Sequence, residues 1–98
     1  MNEEIRVAVA RLRSRIEEER GLIAALNADL NQQPIREFLK QATNHANDAE
    51  GILRGVEESF TPWVLIRASD LFLGLATRHR NEVERGRLAY GPDVTVVG

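Results

Sequence analysis

Ile5, Val9, Leu12, Ile16, Glu19, Ile23, Leu26 and Leu30 recur at alternating steps of four and three residues. That is the a/d rhythm of helices packed nearly side by side, so the first third of the chain is expected to form one long amphipathic helix. One member of the seam, Glu19, is charged, which marks a place where a polar group enters the core or the seam opens to water.

The Arg20-Gly21 pair has the look of a helix stop, yet the apolar register continues in phase through Ile23, Leu26 and Leu30. A break would shift the phase, so a single helix is expected over about residues 3–31. Asn31-Gln32-Gln33 makes a short turn, and Pro34 suits a first helical position, where its missing N–H costs nothing. A second helix follows over about 34–59, with Ile35, Leu39, Ala42, Ala46, Ala49, Leu53, Val56 and Phe60 on its seam. Its three central alanines allow a neighbouring helix to come close. Thr61 is placed to cap a third helix through its hydroxyl, with Pro62 at the first position and the helix running over about 62–86.

Three helices of roughly 26 residues, each about 39 Å long, joined by turns too short for anything but antiparallel neighbours, make an up-down-up three-helix bundle with heptad-like seams. The bundle domain is expected over 1–87, as one domain. Residues 88–98 carry a Gly91-Pro92 turn signal followed by Asp93-Val94-Thr95-Val96-Val97, the composition of a short extended C-terminal tail. The third helix packs in cis or is exchanged with a twin, since both preserve the same contacts.

Composition narrows the function classes. A formal net charge of −2 argues against binding nucleic acid by bulk phosphate neutralisation. The absence of cysteine removes disulfides, thiol nucleophiles and thiolate metal sites. The acidic start, Met-Asn-Glu-Glu, lacks the basic and apolar regions of a secretory signal, so a cytoplasmic protein is expected. Residues 63–76 are the most apolar stretch, but they are too few to cross a bilayer and contain Arg67 and Asp70, so no membrane association is expected. Of the thirteen Lys and Arg residues only Lys40 is lysine, a bias expected of a GC-rich bacterial or phage genome.

That apolar stretch holds more hydrophobic residues than one helix face can use. Placed every 100°, Val64, Leu65, Ala68, Leu71, Phe72, Leu75 and Ala76 share a broad side assigned to the core. Trp63, Ile66 and Leu73 fall on the other side and read as an exposed stripe for a partner or for self-association as a homodimer. On the outer side of the second helix, Asn44, Asp48, Gly51 and Gly55 form a row of small or polar residues at heptad-like steps. Glycine inside a helix costs about 1 kcal/mol relative to alanine, so the row reads either as a place of close approach or as drift on a solvated face.

Folding the helices back about their turns brings Glu19, His45 and His79 to similar heights, which makes them a candidate buried polar network. The plainest form of it is a Glu19–His45 hydrogen bond that fixes register, with His79 nearer the rim and partial exposure of Glu19 as the competing reading. The same trio is a speculative metal site, since bundles build such sites from Glu and His on facing helices, although His-x-x-Asp and His-x-x-Glu reverse the Glu-x-x-His order of di-iron bundles. Arg78, Arg80, Arg85 and Arg87 make a locally basic end suited to an acidic partner, interrupted by Glu82 and Glu84. Register also places Arg15 near Glu50 and Glu82 beside Arg85. Ser14, Ser59, Ser69 and the threonines stand in no nucleophile motif, and there is no glycine-rich phosphate loop, so neither catalytic residues nor a cofactor is expected.

The chain therefore reads as a small non-enzymatic helical-bundle module for protein–protein interaction, an adaptor, assembly factor or inhibitor of a larger machine. The alternatives are a metal-binding bundle and a nucleic-acid-associated factor working through the Arg-rich end of the third helix.

Overall fold

The computed structural model of the chain describes residues 2–29 and 33–90, with side chains described for 2–28 and 36–86. Its described residues form three long helices, α1 (Glu3–Asp29), α2 (Gln33–Arg54) and α3 (Pro62–Tyr90), with a 3-10 turn at Val56–Glu58 and no strand. The chain is all-α, and its extents of 49 × 19 × 17 Å are those of a rod one helix long.

Asn2 caps α1: its side-chain oxygen accepts from the Ile5 amide at 3.0 Å, one of the four donors that a helix start leaves without an internal partner. Glu3 and Glu4 in the first turn add favourable charge at the positive end of the helix dipole. The helix runs through Arg20-Gly21 unbroken, as the unshifted register required.

The second helix is shorter than its apolar rhythm implied. It stops at Arg54, where the Gly55 amide bonds the Ile52 carbonyl at 3.1 Å, and the chain tightens into the 3-10 turn. Val56 stays in the core at 1% exposure, but the change of winding throws Phe60 out of phase, and it is fully solvent-exposed rather than on the seam. Thr61 also behaves differently from expectation. Its carbonyl accepts from the Val64 and Leu65 amides, while its amide and hydroxyl both meet the Ser59 hydroxyl, at 2.9 and 3.3 Å. The third helix extends to Tyr90, so 88–90 are helical and not part of an extended tail; residues 91–98 of that tail lie outside the described residues.

Side-chain pairs fix the heights of the helices relative to one another. Between α2 and α3, Ala49 meets Ser69 and Phe38 meets His79, so residue numbers fall along α2 as they rise along α3. Between α1 and α3, Arg15 meets Asp70 and Glu19 meets Thr77, and both sets of numbers rise together. Ala42, Ala46 and Ala49 are all at 0% exposure, and Ser69 and Ala76 on α3 are equally buried. The small residues let these two helices pack closely, and the Ser69 hydroxyl finds its partner in the Ala49 carbonyl at 2.7 Å.

The core is in two parts. One cluster joins Ile5, Val9, Leu12 and Ile16 to Ala49, Leu53, Val56 and Leu73; the other joins Ile23 and Leu26 to Leu39, Ala42 and Val83. Glu19 lies between them on α1 and Arg80 lies between Leu73 and Val83 on α3, so a polar layer divides the apolar interior.

Candidate functional site

The exposed stripe expected on α3 is not where the helix presents it. Leu73 is 2% exposed and belongs to the core, and Ile66 packs against that core, so of Trp63, Ile66 and Leu73 only Trp63 faces solvent. Residues assigned to the interior come out instead: Val64 is 63% exposed, Leu71 65% and Leu75 38%. The reason is a seam hidden by its own polar members. Ile66, Ser69, Leu73, Ala76, Arg80 and Val83 step alternately by three and four, and this row, with a serine and an arginine in it, is the one turned inward.

Trp63 stands at the mouth of a groove between α1 and α3, lined by Ala8, Arg11, Leu12 and Arg15 on one side and by Trp63, Val64, Ile66, Arg67 and Asp70 on the other. The floor is apolar and the rim carries three guanidinium groups against one carboxylate. Arg15 is engaged by Asp70 at 2.9 Å, whereas Arg11 and Arg67 have no ion-pair partner among the described residues. Half-exposed Trp63 and fully exposed Phe60 put two aromatic rings at this end of the bundle.

The trio Glu19, His45 and His79 separates into two unrelated contacts. Glu19 is buried, as the network reading required, but its partners are on α3: the Thr77 hydroxyl donates to one carboxylate oxygen at 2.7 Å, and the Arg80 Nε donates to the other. Arg80 also reaches Glu84 at 2.8 Å, and its contact with Glu19 is the leading cause that holds its guanidinium above the ordinary arginine range. The two histidines stack on each other, with ring centroids 5.1 Å apart and planes 5° from parallel. Phe72 and Phe38 flank the stack, each with its ring centroid 6.2 Å from a histidine. The Nδ1 atoms of both histidines are buried without a hydrogen-bond partner among the described residues.

This arrangement overturns the speculative metal site. The Glu19 oxygens are taken by an arginine and a threonine, and stacked imidazoles project their in-plane lone pairs side by side rather than onto one point. Among the described residues no group of three or more His, Asp or Glu is placed to hold a metal ion.

The Arg-rich end of α3 also changes. Arg78 and Arg85 are exposed, but Arg80 is turned inward with its side chain only 11% accessible, so it is not available to an acidic partner. The side chain of Arg87 lies outside the described residues. Two further expected pairings are replaced. Arg20, rather than Arg15, binds Glu50, and Arg80–Glu84 is the intrahelical pair near the end of α3. Arg54 reaches the other Glu50 oxygen at 2.9 Å, and this bond, ahead of the charge of Arg20, holds the Glu50 carboxyl below its usual value.

Among the described residues no helix is long and apolar enough to cross a membrane. Comparison of the chain with protein-family models, with curated proteins and with solved structures finds no match.

Proposed function

We propose that the chain is a non-enzymatic, self-associating protein-interaction module that works in the cytoplasm as an adaptor, assembly factor or inhibitor. In this reading it is an up-down-up antiparallel bundle, supported by the opposed order of the α2–α3 contacts and the common order of the α1–α3 contacts. It docks an acidic, partly apolar segment of another protein in the groove between α1 and α3. The observation that carries the docking site is the combination of half-exposed Trp63 with unpaired Arg11 on a concave apolar floor. Tryptophan and arginine are both among the residue types enriched at the energetic centres of interfaces, and burying them against an acidic, partly apolar partner gains both desolvation and charge complementarity.

Trp63 is the only tryptophan, so its emission reports directly on the groove. The test is a quantitative pull-down with the wild type, Trp63→Glu and Arg11→Glu as baits, followed by titration of each captured protein against Trp63 fluorescence. A protein retained by the wild type, lost by both variants and able to shift Trp63 emission supports the groove. The same captured proteins with all three baits remove it.

A further inference from the structure

The turn between α2 and α3 leaves its aromatic residue without a place in the bundle. Phe60 is 104% exposed, more than any other large apolar side chain among the described residues. Thr61 immediately precedes α3, and its carbonyl accepts from the Val64 and Leu65 amides. An apolar residue just before such a position often folds back on the fourth residue of the helix, which here is Leu65. Leu65 packs against the core instead, and Phe60 stays free. The backbone that carries the ring is shaped by local bonds: Ser59 is extended, and its hydroxyl accepts from the Thr61 amide at 2.9 Å. Glu57 and Glu58, just ahead of it, are exposed and have no ion pair among the described residues.

The groove beside Trp63 has the converse character. Arg15 meets Asp70 and the two helices run the same way, so Arg11 on α1 comes level with Ile66 and Arg67 on α3. Asp70 answers Arg15, which leaves the exposed guanidinium groups of Arg11 and Arg67 without an ion pair among the described residues, above an apolar floor of Ala8, Leu12 and Ile66. Two free carboxylates and one free ring on the turn thus match two free cations and one apolar floor in the groove.

We propose, resting on the groove and self-association readings above, that the segment docked between α1 and α3 is the α2–α3 turn of a second copy of this chain. Phe60 of each copy enters the other's groove, and Glu57 and Glu58 stand against the other's Arg11 and Arg67. Turn and groove lie at the same end of the rod, with Phe60 and Ile66 three residues to either side of Trp63. A two-fold axis perpendicular to the helices and passing near Trp63 therefore overlaps the two ends antiparallel and makes both contacts at once. The assembly closes at two copies and fills both grooves. The tip of a turn is narrow enough to enter a groove between helices, whereas Glu18 and Leu22, another exposed acidic and apolar pair, stand on the flank of α1. Trp63 is covered in both copies, and opposite charges meet around it, the arrangement expected at the centre of an interface. An acidic segment of any other protein then reaches the groove only by displacing the second copy.

The experiment is sedimentation velocity and multi-angle light scattering over a concentration series, with helicity and Trp63 emission followed in parallel. The wild type is expected to reach the mass of two 11.0 kDa chains, with Trp63 emission shifting to the blue as it does. Phe60→Ser should weaken association by about tenfold or more with helicity unchanged, because Phe60 lies outside the core. Two charge variants test the pairing. Arg11→Glu with Arg67→Glu sets like charge against the partner's turn, and Glu57→Arg with Glu58→Arg sets like charge against the partner's groove, so each alone should stay at one chain. Mixed in equal amounts they should return to two, because every turn then meets a groove of opposite charge. A wild type that stays at one chain throughout overturns this assignment together with the self-association reading, and leaves the docking of other proteins to stand or fall on the pull-down. A two-chain mass that survives both Phe60→Ser and the Arg11, Arg67 variant leaves self-association standing and overturns the assignment. A mixture of the two charge variants that stays at one chain overturns it as well.

Discussion

The carboxylate of Glu19 accepts from both Thr77 and Arg80 across the α1–α3 contact, so the one charged member of the α1 seam is answered by the one charged member of the inward α3 seam. Their side chains are 6% and 11% accessible. Two ions so far from water are costly to bury, and their mutual attraction offsets that cost only while both are present. The pair therefore specifies height between α1 and α3 more than it stabilises them.

Removing one partner should expose that asymmetry. Glu19→Leu or Arg80→Leu alone is expected to destabilise the bundle by about 3–5 kcal/mol, because the survivor is left charged in the core. The double variant Glu19→Leu, Arg80→Leu should lie close to the wild type. A double-mutant cycle in urea measures the coupling, and simple additivity of the two single losses would contradict the shared-layer interpretation.

The stacked histidines should yield the opposite sign. His45 and His79 bury their Nδ1 atoms without partners between Phe38 and Phe72, an environment better suited to apolar side chains. An unsatisfied buried acceptor or donor costs about 1–3 kcal/mol, so His45→Leu is expected to raise stability by about 1 kcal/mol after allowance for lost ring contact. Chemical denaturation at neutral pH checks this, and a destabilised variant would show that the ring stack outweighs the orphaned nitrogens.

Acid should weaken one surface cluster in a definite direction. Arg54 and Arg20 hold the Glu50 carboxyl below its ordinary value of 4.5, so the folded state releases this proton more readily than the unfolded chain. The resulting stabilisation is fully present above the ordinary carboxylate range and is lost as pH falls through the lowered folded value. With its side chain 27% accessible, Glu50 contributes no more than about 0.5 kcal/mol. Urea midpoints of the wild type and Glu50→Gln should differ at pH 7 and converge once the pH has fallen below the lowered folded value. A constant gap down to that pH would assign the difference to something other than the charge.

The legibility of the chain was uneven for identifiable physical reasons. The α1 seam was readable through Gly21 because its apolar phase never shifts, and the burial of Glu19 follows from its place in that seam. The partner of Glu19 was not readable, because Arg80 sat in a row containing Ser69 and Ala76 that is weaker in hydrophobicity than the Val64, Leu71 and Leu75 row beside it. Taking the more hydrophobic row as the core turned α3 on its axis, and with it Leu73 and Arg80 were assigned to the surface. A buried seam need not be the greasiest one when its neighbour is a close-packed alanine face. The groove at Trp63 was half legible: the tryptophan stood out, whereas Arg11 and Arg15 reach it only through the packing of α1 on α3.

That alanine face supplies the last prediction. Ala46 is at 0% exposure in the stretch of α2 that also carries Ala42 and Ala49, opposite an α3 surface built from Ser69 and Ala76. Close approach here leaves no room for a longer side chain, although leucine is nearly as good a helix former as alanine. Ala46→Leu should therefore cost about 1–3 kcal/mol by overpacking, and the two helices should be forced apart at the polar layer. Its effect should couple with Arg80→Ala, because separating α2 from α3 changes how Arg80 is held against Glu19. Urea denaturation of the single and double variants measures both the loss and the coupling. A leucine accommodated without loss would mean that the small residues are not what sets the α2–α3 distance.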